Sequence, residues 1–173
     1  GRKQKGIGSA SAGEIVAVGK DARGPHGPWR EGDRVCTMPG ISCGSCLACL
    51  SGDVMGCPKL RVTGFGQIGG GYAEYAIGGA QMTFRLPDRV SSADGAMVEP
   101  LAVGLHAVDV AGLASGEDVL VVGAGPVGLA VAVWSKILGA RKVVVSDPAA
   151  HRRDRWLERD DRRFDRARRA SRR

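Results

Sequence analysis

Four cysteines, Cys43, Cys46, Cys49 and Cys57, stand in the pattern C-x2-C-x2-C-x7-C. Thiolates two residues apart converge on one ion, and four sulfurs at tetrahedral corners are what a structural Zn2+ takes. Such a site is closed. It leaves no position for water, so it holds a loop in shape and does no chemistry of its own. Gly40, Gly44, Gly52 and Gly56 supply the tight turns that convergence requires. The competing readings are two disulfides or a set of free thiols. No secretion signal opens the chain, a cytoplasmic location is expected, and cytosolic thiols stay reduced, which favours the metal. Ser42, Ser45 and Ser51 are expected to hydrogen-bond thiolates or backbone. Cys36 falls outside the spacing and reads as a buried strand residue.

A second constellation is Gly123-Ala124-Gly125-Pro126-Val127-Gly128, the pattern G-x-G-x-x-G. It lies between an apolar strand at 119–122 and an apolar helix at 126–138, and a second apolar strand at 142–146 ends on an acid. That context turns a weak motif into a dinucleotide-binding prediction. Gly123 makes the tight turn, Gly125 lets backbone approach a pyrophosphate, and Gly128 lets helix and strand pack closely. Pro126 and Val127 open the helix, whose free N–H groups and positive dipole face the phosphates. Asp147, 19 residues after Gly128, is placed to accept hydrogen bonds from an adenosine ribose. A carboxylate there repels a 2′-phosphate and favours NAD over NADP.

The elements that position these groups fall into two kinds. Residues 14–18, 33–38, 73–77 and 82–86 read as short strands separated by glycine turns, suggesting a small β barrel or sandwich. From Ser91 onward helices take over. Ser91 or Ser92 caps a first helix, and Pro100 sits in the first turn of a second that runs to about residue 111, with Leu101, Leu105 and Val108 on one face. The following βαβ unit has strands apolar throughout, as in a parallel sheet buried on both faces. The longest apolar run, 119–134, is interrupted by three glycines and reads as buried, not as a membrane span. His26, His106 and His151 are scattered and form no constellation. Tyr72 and Tyr75 point to opposite faces of a strand and form no stacking platform.

The net charge of +7 sits in the tail. Residues 149–173 hold 11 Arg and 5 acids, a net of +6, against 14 Lys+Arg and 13 acids, a net of +1, in residues 1–148. The body therefore lacks an electrostatic footprint for nucleic acid. The tail, with Trp156, Leu157 and Phe164 as its only large apolar residues, is expected to be a solvated helix or disordered.

Together, AGEIVAVG (12–19), GDRV (32–35), the four-cysteine lobe, GGYAEY (70–75), EPLAVGLHAV (99–108) and GAGPVG (123–128) resemble the medium-chain, zinc-containing alcohol and polyol dehydrogenases, with the sorbitol and threonine dehydrogenase branch suggested by the Glu99-Pro100 pair. The resemblance covers residues 8 to 148. It implies an α/β and β architecture: a partial GroES-like catalytic β domain at 1–98 with its zinc lobe at 40–60, the start of a Rossmann NAD-binding domain at 99–148, and the arginine-rich tail. It implies NAD as cofactor, an alcohol or polyol as substrate, hydride transfer as reaction, a possible homo-oligomer, and no membrane or nucleic-acid partner. Glu99 matches a glutamate near the family's catalytic zinc.

The sequence departs from that family where Gly8-Ser9-Ala10 stands in place of G-H-E, so the histidine and glutamate that serve the catalytic zinc are absent. The family's first zinc cysteine and its later Rossmann strands are not matched either, which suggests a piece truncated at both ends. The catalytic zinc is expected to be lost, because one carboxylate does not make the usual set of three protein ligands. Weak or absent activity follows, with a non-catalytic zinc-binding module, or nucleic-acid binding through the basic tail, as alternatives.

Overall fold

The structure, a computed structural model, describes residues 8–20, 22–25, 27–65 and 68–152. The tail beyond residue 152, expected to be helical or disordered, lies outside the described residues. The chain divides into two compact units, Gly1–Glu99 and Pro100–Arg173.

In chain order the first unit carries β1 (Ser11–Glu14), β2 (Arg23–Gly24), β3 (Gly27–Pro28), β4 (Arg34–Thr37), β5 (Gly40–Ile41), α1 (Leu47–Leu50), β6 (Arg61–Val62), β7 (Thr83–Arg85) and α2 (Ser92–Ala96). Its centre is an antiparallel sheet in the order β1-β4-β7. Cys36 stands opposite Ala12 on one side and Phe84 on the other. It is buried, as its place outside the cysteine spacing predicts. Ser91 caps α2 by accepting the Asp94 N–H at 3.1 Å. Trp29 is buried, donates Nε1–H to the Ala80 carbonyl at 2.9 Å, and carries the Arg85 guanidinium 4.9 Å from its ring centre. Arg85 also pairs with Asp33 and holds that carboxyl below its usual range by hydrogen bonding.

Two expected strands are not formed as read. The first lies at Ser11–Glu14, not 14–18, because β4 pairs with that register and leaves residues 16–18 beyond its end. Residues 73–77 form no strand. They alternate like one, but a strand exists only with a hydrogen-bonded neighbour, and no described segment pairs with them. Tyr72, Tyr75, Ile77 and Val16 consequently stay exposed.

The second unit holds most of α3 (Val98–Val110), then β8 (Asp118–Val122), α4 (Pro126–Ile137) and β9 (Lys142–Ser146). β8 and β9 pair in parallel, Asp118 with Lys142 through Val122 with Ser146, and α4 makes the crossover. The helix and both strands share a core of Val121, Ala132, Ala140 and Val143, ringed by Leu113, Val119, Val131 and Val145. Burying a valine side chain there contributes about 1.5–3 kcal/mol. α3 approaches α4 closely enough that a side chain added at Gly104 meets Ala130 Cβ at 2.6 Å. Trp134 fixes the pair by donating to the Leu101 carbonyl at 2.8 Å. The sequence suggests a sheet buried on both faces, but among the described residues only one face is covered. Leu120 and Val122 are 66% and 84% exposed, because the single crossover helix covers the face bearing Val119 and Val121.

Candidate functional site

The cysteine lobe is a loop whose ends are clamped. β5 and β6 pair antiparallel, Gly40 with Val62 and Ile41 with Arg61, so residues 42–60 leave and return at one point. Within it, Cys46 precedes the single turn of α1, Cys49 lies inside that turn, and Asp53 holds the next turn by accepting the Gly56 N–H at 3.0 Å. The four sulfurs lie within 4.8 Å of one another. Cys46 Sγ is 3.5 Å and Cys43 Sγ 3.9 Å from Cys49 Sγ. A tetrahedron with metal–sulfur arms of about 2.3 Å has sulfur–sulfur edges of about 3.8 Å, so these spacings fit one four-coordinate ion. All five cysteines are free thiols, and Cys36 is not part of the quartet.

The electrostatics of the lobe favour thiolate. The backbone N–H of Ser45 draws Cys43 down from 9.0 to about 5, helped by the Ser45 hydroxyl and the Cys46 N–H. The Ser45 hydroxyl lies 3.7 Å from that sulfur, as its place beside the cysteines predicts. The Cys49 N–H acts in the same direction on Cys46, but neighbouring sulfurs and burial outweigh it and push Cys46 up to about 11. Cys49 is lowered by the hydrogen bonds from Cys46 and from Gly44, against the larger opposing effect of burial. Crowding four sulfurs leaves protons shared unevenly, a conflict that a divalent cation removes by holding all of them deprotonated.

The glycine turn sits between β8 and α4. Gly123 has φ of 110°, a conformation open to glycine at little cost. Gly125 is the N-cap of α4, Pro126 follows at the head of the helix, and no atom lies within 4 Å of where a Gly125 side chain would stand. At Gly128 the opposite holds: an added Cβ meets the Gly123 carbonyl oxygen at 1.8 Å. One glycine therefore keeps open space before the helix, and another permits helix–turn contact. Val127 is exposed in the first turn. A pyrophosphate reaching this helix end finds unpaired N–H groups and the positive end of the dipole.

Asp147 follows the last residue of β9 and is buried, its side chain 4% exposed. One carboxylate oxygen accepts the Ala124 N–H and the other the Ala149 N–H, both at 2.8 Å. Those N–H groups, Ala124 foremost, hold its pKa below 3.8, and Arg152 adds an ion pair at 3.7 Å. The carboxylate thus ties the tip of β9 to the centre of the G-x-G turn. Sequence reasoning gives Asp147 a ligand contact and misses this internal one. The partner is a backbone N–H 23 residues away, which no side-chain pattern announces.

Glu99 lies in the first turn of α3 and is half-buried. Among the described residues, the cysteine quartet is the only group of three or more His, Cys, Asp or Glu with ligand atoms close enough for an ion. A cleft of about 580 Å3 in the first unit, lined by residues including Ser11, Thr37, Tyr75 and Thr83, has Glu14 and Glu74 as its only carboxylates. Among the described residues, no second group of this kind forms around Glu99. No helix among the described residues is long and apolar enough to cross a membrane.

Comparison with known proteins agrees with this arrangement. The family described as Alcohol dehydrogenase GroES-like domain matches residues 4–88. Sorbitol dehydrogenase of Bacillus subtilis (strain 168) is 34% identical over 141 residues, covering 82% of this chain and 39% of the relative. A dehydrogenase from Sinorhizobium meliloti 1021, solved bound to NADP, is 34% identical with a TM-score of 0.74, over 88% of this chain and 43% of that one. An alcohol dehydrogenase from Escherichia coli CFT073, complexed with NADH, is 31% identical with a TM-score of 0.72, over 88% and 44%. The chain spans about two fifths of the length of these relatives. With the lobe, the glycine turn and the parallel strand pair present in one chain that also matches these relatives, this protein belongs to the zinc-containing medium-chain alcohol and polyol dehydrogenase family, whose members are NAD(P)-dependent oxidoreductases acting on CH–OH groups.

Proposed function

We propose that this chain carries the zinc-braced lobe and the nucleotide turn of a cytoplasmic dehydrogenase that oxidises a secondary alcohol or polyol with NAD. The observation that carries the reading is the contrast within one turn: open space at Gly125 and closed packing at Gly128. A pyrophosphate needs the first, and a helix aimed at it needs the second. Asp147 supports NAD over NADP, since a carboxylate at this position repels a 2′-phosphate. Bound NAD supplies the hydride acceptor. The chain's own residues orient it: Gly123 bends the backbone, Asp147 fixes Ala124, and the N-terminus of α4 holds the phosphates. Cys43, Cys46, Cys49 and Cys57 hold a zinc ion that shapes the lobe.

Ser9 and Ala10 stand where the family has histidine and glutamate, and Glu99 alone does not hold a catalytic ion. No chemical step is assigned to one. NAD binding without appreciable turnover is the expected behaviour of these residues. A panel of polyols assayed for NAD reduction, beside calorimetry of NAD binding, tests both halves. Reduction well above background contradicts the loss of the catalytic metal. Absence of NAD binding contradicts the nucleotide site and favours a second reading, a non-catalytic module stabilised by zinc alone.

A further inference from the structure

The quartet is uneven in its access to solvent. Cys43 and Cys46 are half-buried, whereas Cys49 and Cys57 are 6% and 5% exposed. Cys46 caps the single turn of α1 and Cys49 lies within it, and the turn's Leu47 and Leu50 are 83% and 73% exposed, so this corner of the lobe faces water. The sulfurs of that pair are also closer, at 3.5 Å, than the 3.9 Å between Cys43 and Cys49. A half-buried cysteine beside a buried one, their sulfurs already near contact, is the arrangement in which oxidation at the first is resolved by the second.

We propose that the lobe is a peroxide-sensitive modification site in which a Cys46–Cys49 disulfide forms and the metal is expelled. The inference rests on the zinc reading above. Held as a thiolate in the zinc-loaded lobe, the sulfur of Cys46 attacks one oxygen of hydrogen peroxide, the O–O bond breaks, hydroxide leaves, and Cys46 becomes a sulfenic acid. The sulfur of Cys49 then attacks the Cys46 sulfur, the S–O bond breaks, and the oxygen departs as water after taking up a proton. In sum, two thiolates, one peroxide and two protons give one disulfide and two waters. The two sulfurs together lose two electrons and the peroxide gains them. Cys43 and Cys57 are left, and two thiolates do not hold an ion that takes four. A dithiol reductant reverses the bond by exchange and restores the cage.

The test uses the reduced, zinc-loaded chain titrated with hydrogen peroxide beside a chromogenic zinc indicator. Tandem mass spectrometry then follows the tryptic peptide 35–59, which contains all five cysteines. The expected result is one zinc released per peroxide consumed, a Cys46–Cys49 disulfide, alkylatable Cys36, and recovery of the zinc after dithiothreitol and added metal. The Cys36→Ser variant is expected to release zinc with the same dose dependence. Zinc retained at a tenfold excess of peroxide overturns the inference, as does a first disulfide joining any other pair. A reduced protein purified without zinc overturns the metal reading and this inference with it, whereas zinc that is present and stays put overturns this inference alone.

Discussion

Asp147 and Ala124 are joined by a hydrogen bond of 2.8 Å from the Ala124 N–H to the Asp147 carboxylate. Through it, the end of the second parallel strand sets the shape of the turn that follows the first. Replacing Asp147 by Asn removes the charge and presents an amide N–H to a backbone N–H. A hydrogen bond to a charged group is worth about 1.5–3 kcal/mol, so NAD affinity is expected to fall about tenfold or more. Calorimetry with NAD and NADP checks this, and the preference for NAD should narrow in the variant.

The same carboxylate gives a pH dependence. Its folded-state pKa lies below 3.8, so its stabilising contribution is present above that value and is lost as pH falls through it toward the folded-state pKa. Asp33, lowered by Arg85, acts with the same sign. Melting curves of the natural chain and the Asp147→Asn variant are expected to differ most near neutrality and to draw together as pH falls below the ordinary carboxylate range toward the lowered folded-state value. A gap that widens in acid would be the wrong sign.

Gly125 and Gly128 separate binding from folding. Gly128→Ala places a methyl against the Gly123 carbonyl and is expected to cost about 1–3 kcal/mol by overpacking. Gly125→Ala adds a methyl into open space at an ordinary φ of −73°, so its stability is expected to hold within about 0.5 kcal/mol. The methyl occupies the ground a pyrophosphate needs, and NAD binding should be lost all the same. Urea denaturation and calorimetry on both variants decide the point.

Cys57→Ser removes a buried sulfur and one ligand of four. Because metal binding and folding of such a lobe are coupled, its zinc content should drop below half an ion per chain and its melting temperature should fall. Cys36→Ser lies outside the quartet and should keep its metal. Metal content by mass spectrometry, beside thermal melts, compares the two.

Local pattern carried the βαβ unit far. β9 falls on the residues expected of it, α4 begins at Pro126 as expected, and the motif glycines take the packing their spacing implies. The cysteine spacing likewise anticipated convergence, since the short separations leave the sulfurs little freedom to diverge. What stayed hidden depends on partners distant in sequence. Residues 73–77 have strand alternation without a neighbour to pair with, and β1 is set by the register of β4, not by its own run of apolar residues. The stack of Arg85 on Trp29 joins positions 56 apart and follows from no local pattern.

On the reading proposed above, four sulfurs hold one ion and the described residues form no second metal cage. Cobalt substitution of the purified, reduced chain, with the bound metal counted, tests it most directly. The expected result is one cobalt per chain with the strong sulfur-to-cobalt charge-transfer absorption of a tetrahedral tetrathiolate. A chain that binds no cobalt, or binds it without that absorption, contradicts the thiolate cage, and a second tightly bound ion contradicts the loss of the catalytic site.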